Sequence, residues 1–142
     1  ERNLTSPSIA TLMDILQCLG TNIGDFFNEE TEEQVVFSKG DYFEKFDGEL
    51  KNKIQWIIPN AQKNVMEPIL LTLEPGGSTY PDNPHEGEEF GYVLKGSARL
   101  HIGNSVYKIK SGESFYFLPE KQHYLESRHG ATVLWVSSPP SF

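Results

Sequence analysis

Apolar residues recur at two different periods along this chain, and the change falls near residue 30. Between residues 6 and 20 the period is helical. Ile9, Leu12, Met13, Leu16 and Leu19 fall at three- and four-residue steps and make one apolar face. Ser6 can cap the first free amides, Pro7 suits the first helical turn and Gly20 ends the pattern. A second short helix is predicted from Thr21 or Asn22, burying Ile23, Phe26 and Phe27. The acidic stretch 28–33 lacks apolar anchors and reads as a linker, or as a solvated extension of that helix. Two helices this short cannot bury both of their apolar faces alone, so they imply a truncated helical domain.

After residue 34 the period falls to two. Short apolar runs at 35–37, 54–58, 69–73, 90–94, 98–102, 106–109, 114–118, 123–126 and 132–136 alternate with turn residues. That spacing predicts an all-β sandwich or barrel. Gly103-Asn104 predicts a two-residue hairpin turn, and Gly76-Gly77, Lys95-Gly96 and Ser111-Gly112 mark further turns. The charged segment 39–53 reads as a strand with a long turn around Asp47-Gly48. The expected division is therefore a helical part over 1–27, a linker over 28–33 and a barrel over 34–142.

Composition narrows the function. A net charge of -8 makes this stretch of chain a poor nucleic-acid binder by itself, because phosphate contacts need a basic patch. The single cysteine, Cys18, excludes an internal disulfide and reads as a small buried residue of the first helix. No apolar run reaches membrane-spanning length and no signal peptide opens the chain, which makes the cytoplasm the default location. Phosphate loops, paired-cysteine motifs and nucleophilic triads are not found.

The chemistry concentrates between Gly77 and Gly96. Asn83, His85 and Glu89 are separated by even numbers, which would place them on one face of an extended strand. A histidine and a carboxylate inside a small barrel are costly unless they bind something or each other. His123 recurs on a later predicted strand, after Pro119. Two histidines and one carboxylate are the donor set of a non-haem iron site. Asn83 would add a weak oxygen ligand or hold a water. The alternative reading is a hydrogen-bonded His85–Glu89 pair that takes a polar ligand or water without metal, with His123 an ordinary strand residue. Tyr92, Tyr116 and Arg99 are candidates to line a pocket, against the plainer readings of core aromatics and a solvated cation. His101 has no partner by spacing and reads as exposed, and His129 as a loop residue.

Gly77, Asn83, His85, Glu89 and Gly96, in that order, resemble the first cupin motif, in which a histidine normally stands where Asn83 does. Gly112 and His123 resemble the ends of the second motif. Its usual proline and glycine fall at Leu118 and Glu120, Pro119 comes one place late, and Ser127 replaces the final asparagine. The phrase 85–94 and the endings 133–136 and 139–142 are similar to bacterial regulators that join a Cro/CI-type (XRE) helix-turn-helix to a cupin sensor. Residues 6–12, Leu19-Gly20 and Asp25-Phe26-Phe27 resemble the last two helices of that DNA-binding head, whose recognition helix comes earlier, with at most its end, around Glu1 and Arg2, present here.

The resemblance implies an all-β cupin double-stranded β-helix (a jelly-roll barrel) behind a short helical segment. It implies a dimeric, cytoplasmic transcriptional regulator. Its effector would be an amino acid, a polyamine or a similar metabolite, and DNA would be bound through the full-length head, not this fragment. His85, Glu89 and His123 would hold a divalent metal (Fe, Zn, Ni or Mn), with Asn83, Tyr92, Arg99 and Tyr116 facing the ligand. The alternative is a metal-dependent oxygenase or isomerase using the same three ligands. Iron-dependent phosphonate epoxidases, which also carry a helical domain before a cupin, show that three can suffice.

Overall fold

The computed structural model describes residues 34–142. The predicted helices, Cys18 and the acidic linker lie outside the described residues. Strict alternation generates the frame. In β3 (Glu67–Leu73) and β8 (Ala131–Ser138) every second residue is buried, and the two strands pair antiparallel with Ile69 opposite Trp135 and Leu71 opposite Val133. Alternate side chains of a strand point to opposite faces, so both strands send one apolar row inward. Fully burying a side chain such as Leu71 or Val133 contributes about 1.5–3 kcal/mol.

Outside β3 lie β2 (Asn52–Trp56) and then β1 (Phe43–Asp47), joined by the predicted turn at Asp47-Gly48. The Asp47 carboxylate accepts the amides of Glu49 and Leu50 and so closes that turn. The apolar run 35–37 forms no strand. Val35 and Val36 are exposed, because three apolar residues in succession have no alternation to bury and no ladder partner.

The largest departure from expectation is β4 (Glu88–Ile102). Two strands separated by a turn at Lys95-Gly96 are predicted, and one fifteen-residue strand is found. Gly96 has φ +78° and the register against β8 shifts between Val93 and Lys95. These residues bend the strand rather than reverse it, which is the work of a bulge. The first half of β4 pairs with β8 and with β6 (Ser114–Phe117), and the second half with β5 (Ser105–Lys110) and β7 (His123–Glu126). One strand thus belongs to both sheets and turns the corner between them. The β4–β5 hairpin turns at Gly103-Asn104 as predicted, with positive φ at Gly103.

The bulge also flips the side-chain parity. Glu89, Gly91 and Val93 face inward before it, and Ala98 and Leu100 after it. Gly91 is the inward residue that makes room: a Cβ there would sit 2.1 Å from the Phe115 ring. The core between the sheets is built from Ile69, Leu71, Val93, Leu100, Leu125, Val133 and Trp135, with their neighbours.

Candidate metal centre

The bent strand sets up the site. Glu89 stands near the start of β4, in the larger sheet. His123 opens β7 and pairs with Ile102, at the far end of the same β4. Facing sheets lie about 10 Å apart, a gap that one glutamate and one imidazole can bridge together. Residues thirteen positions apart on one strand are thereby brought to opposite walls of one interior. His85 arrives from the loop before β4. Its amide donates to the Pro119 carbonyl at 2.9 Å, which pins that loop to the β6–β7 connection. Gly87, at φ +114°, reverses the chain between His85 and Glu89, and a Cβ there would lie 2.0 Å from the Ser138 carbonyl oxygen.

His85 and Glu89 therefore do not meet by sharing a strand face, as the even spacing suggests. They meet through a glycine-dependent turn. His85, Glu89 and His123 offer donor atoms within 4.8 Å of one another. Glu89 Oε2 is 2.9 Å from His85 Nε2 and 3.1 Å from His123 Nε2. Glu89 Oε1 accepts a hydrogen bond from Trp135 Nε1 at 2.8 Å. The carboxylate is 1% exposed and His123 is fully buried.

The other ring nitrogens decide the chemistry. His85 Nδ1 is 2.9 Å from the Glu86 carbonyl oxygen, and His123 Nδ1 is 2.9 Å from that of Lys121. A carbonyl only accepts, so each Nδ1 carries a hydrogen. In the neutral rings both Nε2 lone pairs then face the centre, as in metal-ligating histidines. His85 Nε2 is buried and has no hydrogen-bond partner, since its short contact with Glu89 lacks hydrogen-bond geometry. A cation bound at about 2.1 Å by each donor would hold neighbouring ligand atoms roughly 3 Å apart, the range of both contacts to Glu89 Oε2. The donor set fits a divalent cation.

Without a cation, a proton takes part of this role. Burial is the largest influence on His123 and opposes its charge. The hydrogen bonds to Glu89 and to the Lys121 carbonyl, with the negative charges of Glu89 and Asp82, outweigh it and raise the pKa above the ordinary imidazole value. Asp82 Oδ2 lies 3.7 Å from His123 Nε2. Burial raises the Asp82 pKa, with Glu89 adding to the effect and the two imidazoles opposing it.

The remaining candidates fall elsewhere. Asn83 is exposed, because residues 83–87 are not a strand, and its neighbour Asp82 is the residue that bridges to β7. Tyr92 is three residues from Glu89, an odd step, and lies on the outer face. Tyr116 also points outward, with its hydroxyl donating to Glu88 at 2.6 Å; that bond raises its pKa. Arg99 sits after the bulge and is turned outside, although ten residues from Glu89 is an even count. His101, expected to be free, meets Glu126 and stacks on Tyr124 with centroids 4.2 Å apart. Sequence reasoning assigned no role to Asp82 or to the Trp135 indole as the carboxylate's anchor. The adjacency of Asp82 to Asn83 was the only local signal.

A groove of about 500 Å³ opens between β5 and β6, lined by Leu100, Ile102, Tyr107, Phe115, Tyr116 and Phe117 among others. Two of these residues border the cluster. Ile102 pairs with His123, and Phe117 packs edge-on against its ring at 5.1 Å.

Comparison with known proteins agrees with this architecture. Residues 69–138 match the cupin domain family. The chain is 32% identical over 119 residues to the HTH-type transcriptional regulator PuuR of Escherichia coli K12, covering 81% of this chain and 63% of that protein. It thus spans less than two thirds of that relative's length. An HTH_3 family transcriptional regulator from Vibrio cholerae superposes with TM-score 0.59 at 24% identity, over 96% of this chain and 75% of the other. The cupin domain of an XRE family regulator from Enterobacter cloacae gives 0.56 at 16%, over 64% and 99%. At these identities the two structures speak for the fold alone. The chain is a relative of an HTH-type transcriptional regulator, and its residues 69–138 belong to the cupin domain family.

Proposed function

We propose that this chain is the effector-sensing part of a transcriptional regulator, and that its barrel takes a small metabolite at a divalent metal held by His85, Glu89 and His123. One observation carries the metal: a buried imidazole (His123) and a part-buried one (His85), both with Nδ1 committed to carbonyls, turn Nε2 toward one buried carboxylate oxygen. Three acceptors converge where only a cation satisfies all of them. The metal (Fe, Zn, Ni or Mn) would supply Lewis acidity and open coordination positions. The residues of the chain do the rest. Trp135 orients the carboxylate, the Glu86 and Lys121 carbonyls fix the rings, and Phe117 shields His123 from water. The groove between β5 and β6, whose lining residues Ile102 and Phe117 border His123, would be the entrance.

The effector is an amino acid, a polyamine or a similar metabolite. Its binding shifts the full-length protein between two DNA-binding states, which requires different affinities for the two. The regulator acts as a cytoplasmic homodimer on paired half-sites. Consistent with a second copy, the outer face of the larger sheet exposes Phe90, Tyr92, Leu94 and Tyr116. No helix among the described residues is long and apolar enough to cross a membrane.

Elemental analysis of protein purified with iron, zinc, nickel or manganese is the first test, and one equivalent per chain is expected. Metabolite-dependent DNA binding by the full-length protein is the second. Absence of metal together with DNA binding indifferent to every metabolite would defeat the reading. The two-histidine, one-carboxylate set also favours a second reading, a metal-dependent oxygenase or isomerase. Oxygen consumption, or turnover of a metabolite by the iron-loaded protein, would select it.

A further inference from the structure

The outer face of the smaller sheet carries a second cluster of charge, turned away from the barrel interior. Arg99 stands between inward-facing Ala98 and Leu100, so its side chain lies outside. Lys108 is directly opposite it on β5, and Lys110 lies two residues further along the same face. Arg128 and His129 come from the β7–β8 connection. These five side chains border one depression of about 240 Å³. It gathers four of the twelve Lys and Arg residues of a chain whose net charge is -8. The concentration therefore runs against the overall field.

Like charges directly opposite on neighbouring strands repel each other. The carboxylate that should relieve Arg99 is in register, since Glu126 faces it across the other edge of β4. That carboxylate is engaged by His101 instead. Glu113 accepts the backbone amide of Lys110. Among the described ion pairs none involves Arg99, Lys108, Lys110 or Arg128. Among the described residues, four cations thus surround a concave space without a carboxylate partner, and a bound anion would relieve their repulsion.

We infer that this depression binds a small phosphorylated metabolite. Two guanidinium groups can each grip a tetrahedral oxyanion with paired hydrogen bonds, and two ammonium groups add point charge. A small depression suits a compact anion, whereas a long polyanion needs an extended basic stripe. The site is independent of the metal centre, which lies on the inner face.

The test is a titration of the full chain with inorganic phosphate and then pyrophosphate, followed by amide NMR shifts. Saturable shifts confined to residues 97–99, 108–110 and 127–130 are expected. Arg99→Gln and Arg128→Gln should each weaken binding about tenfold or more. Lys45→Gln on β1 should leave it unchanged. Shifts that never saturate, or that survive both arginine substitutions, would overturn the inference. So would binding of a DNA duplex that is lost in both variants without saturable phosphate binding.

Discussion

Glu89 and Glu126 each meet a histidine, and the two meetings are built differently. Glu89 is buried between the sheets, with two imidazoles at one oxygen and an indole at the other. Glu126 lies on the outer face of the smaller sheet, its side chain 31% exposed, beside one imidazole that stacks on Tyr124. The outer pair is self-sufficient, since one ring N–H donated to one carboxylate satisfies both. At the inner site the count fails. With each Nδ1 hydrogen spent on a carbonyl, two ring nitrogens compete for one buried carboxylate oxygen, and His85 Nε2 is left without a hydrogen-bond partner. A histidine–glutamate contact is thus not a metal site in itself. Convergence, burial and fixed ring orientation make it one.

The sharpest way to break this contrast is to remove the rings one at a time. His123→Ala and His85→Ala should each lower affinity for zinc or ferrous ion by at least about 100-fold, as losing a direct ligand costs more than losing a supporting partner. His101→Ala should leave it unchanged. Metal content after equilibrium dialysis reads all three, and retention of metal by His123→Ala would end the distinction. Next in size, Trp135→Phe deprives Glu89 Oε1 of its donor. It should cost about 1–3 kcal/mol of stability in urea unfolding, the penalty of an unsatisfied buried acceptor. Metal affinity should fall about tenfold.

Acidity gives a third handle. Because His123 has a raised folded-state pKa, its protonated form favours the fold of the metal-free protein. That contribution is complete below the ordinary imidazole pKa of about 6.5 and is lost as pH rises through the higher folded value. The melting temperature of chelated protein should therefore fall as pH rises through the imidazole range. Metal affinity should rise over the same range, since the proton must leave before the ring can ligate. A melting temperature that climbs instead would contradict the proton's place at the centre. The smallest effect is expected from Glu126→Gln, at most about 1 kcal/mol in urea unfolding, because a part-exposed pair is screened by solvent. A larger loss would show that the outer pair is as deeply integrated as the inner one.

Much of this was legible in the chain. The alternation in 69–73 and 132–136 marks β3 and β8 because one face of each is buried. His85, Glu89 and His123 stand out as polar residues in or beside apolar runs. Tyr92, expected to face the ligand, is corrected by counting alone, since an odd step from an inward Glu89 points it outward. Arg99 was not, because the bulge between Val93 and Lys95 reverses the parity that counting assumes. The same bulge hides β4 as one strand, since Lys95-Gly96 has the composition of a turn and acts as a bend. The pairing of His101 with Glu126 spans twenty-five residues, beyond any local spacing rule.

The amino-acid order by itself determined which segments extend, which side chains can ligate, and the β-barrel class, because alternation and turn chemistry act over a few residues. Tertiary structure alone decided that opposite ends of one bent strand face each other, that a glycine turn brings His85 to Glu89, and that Asp82 rather than Asn83 approaches His123. Those outcomes depend on where a corner falls and how two sheets close, and such long-range geometry leaves no periodic trace in the chain.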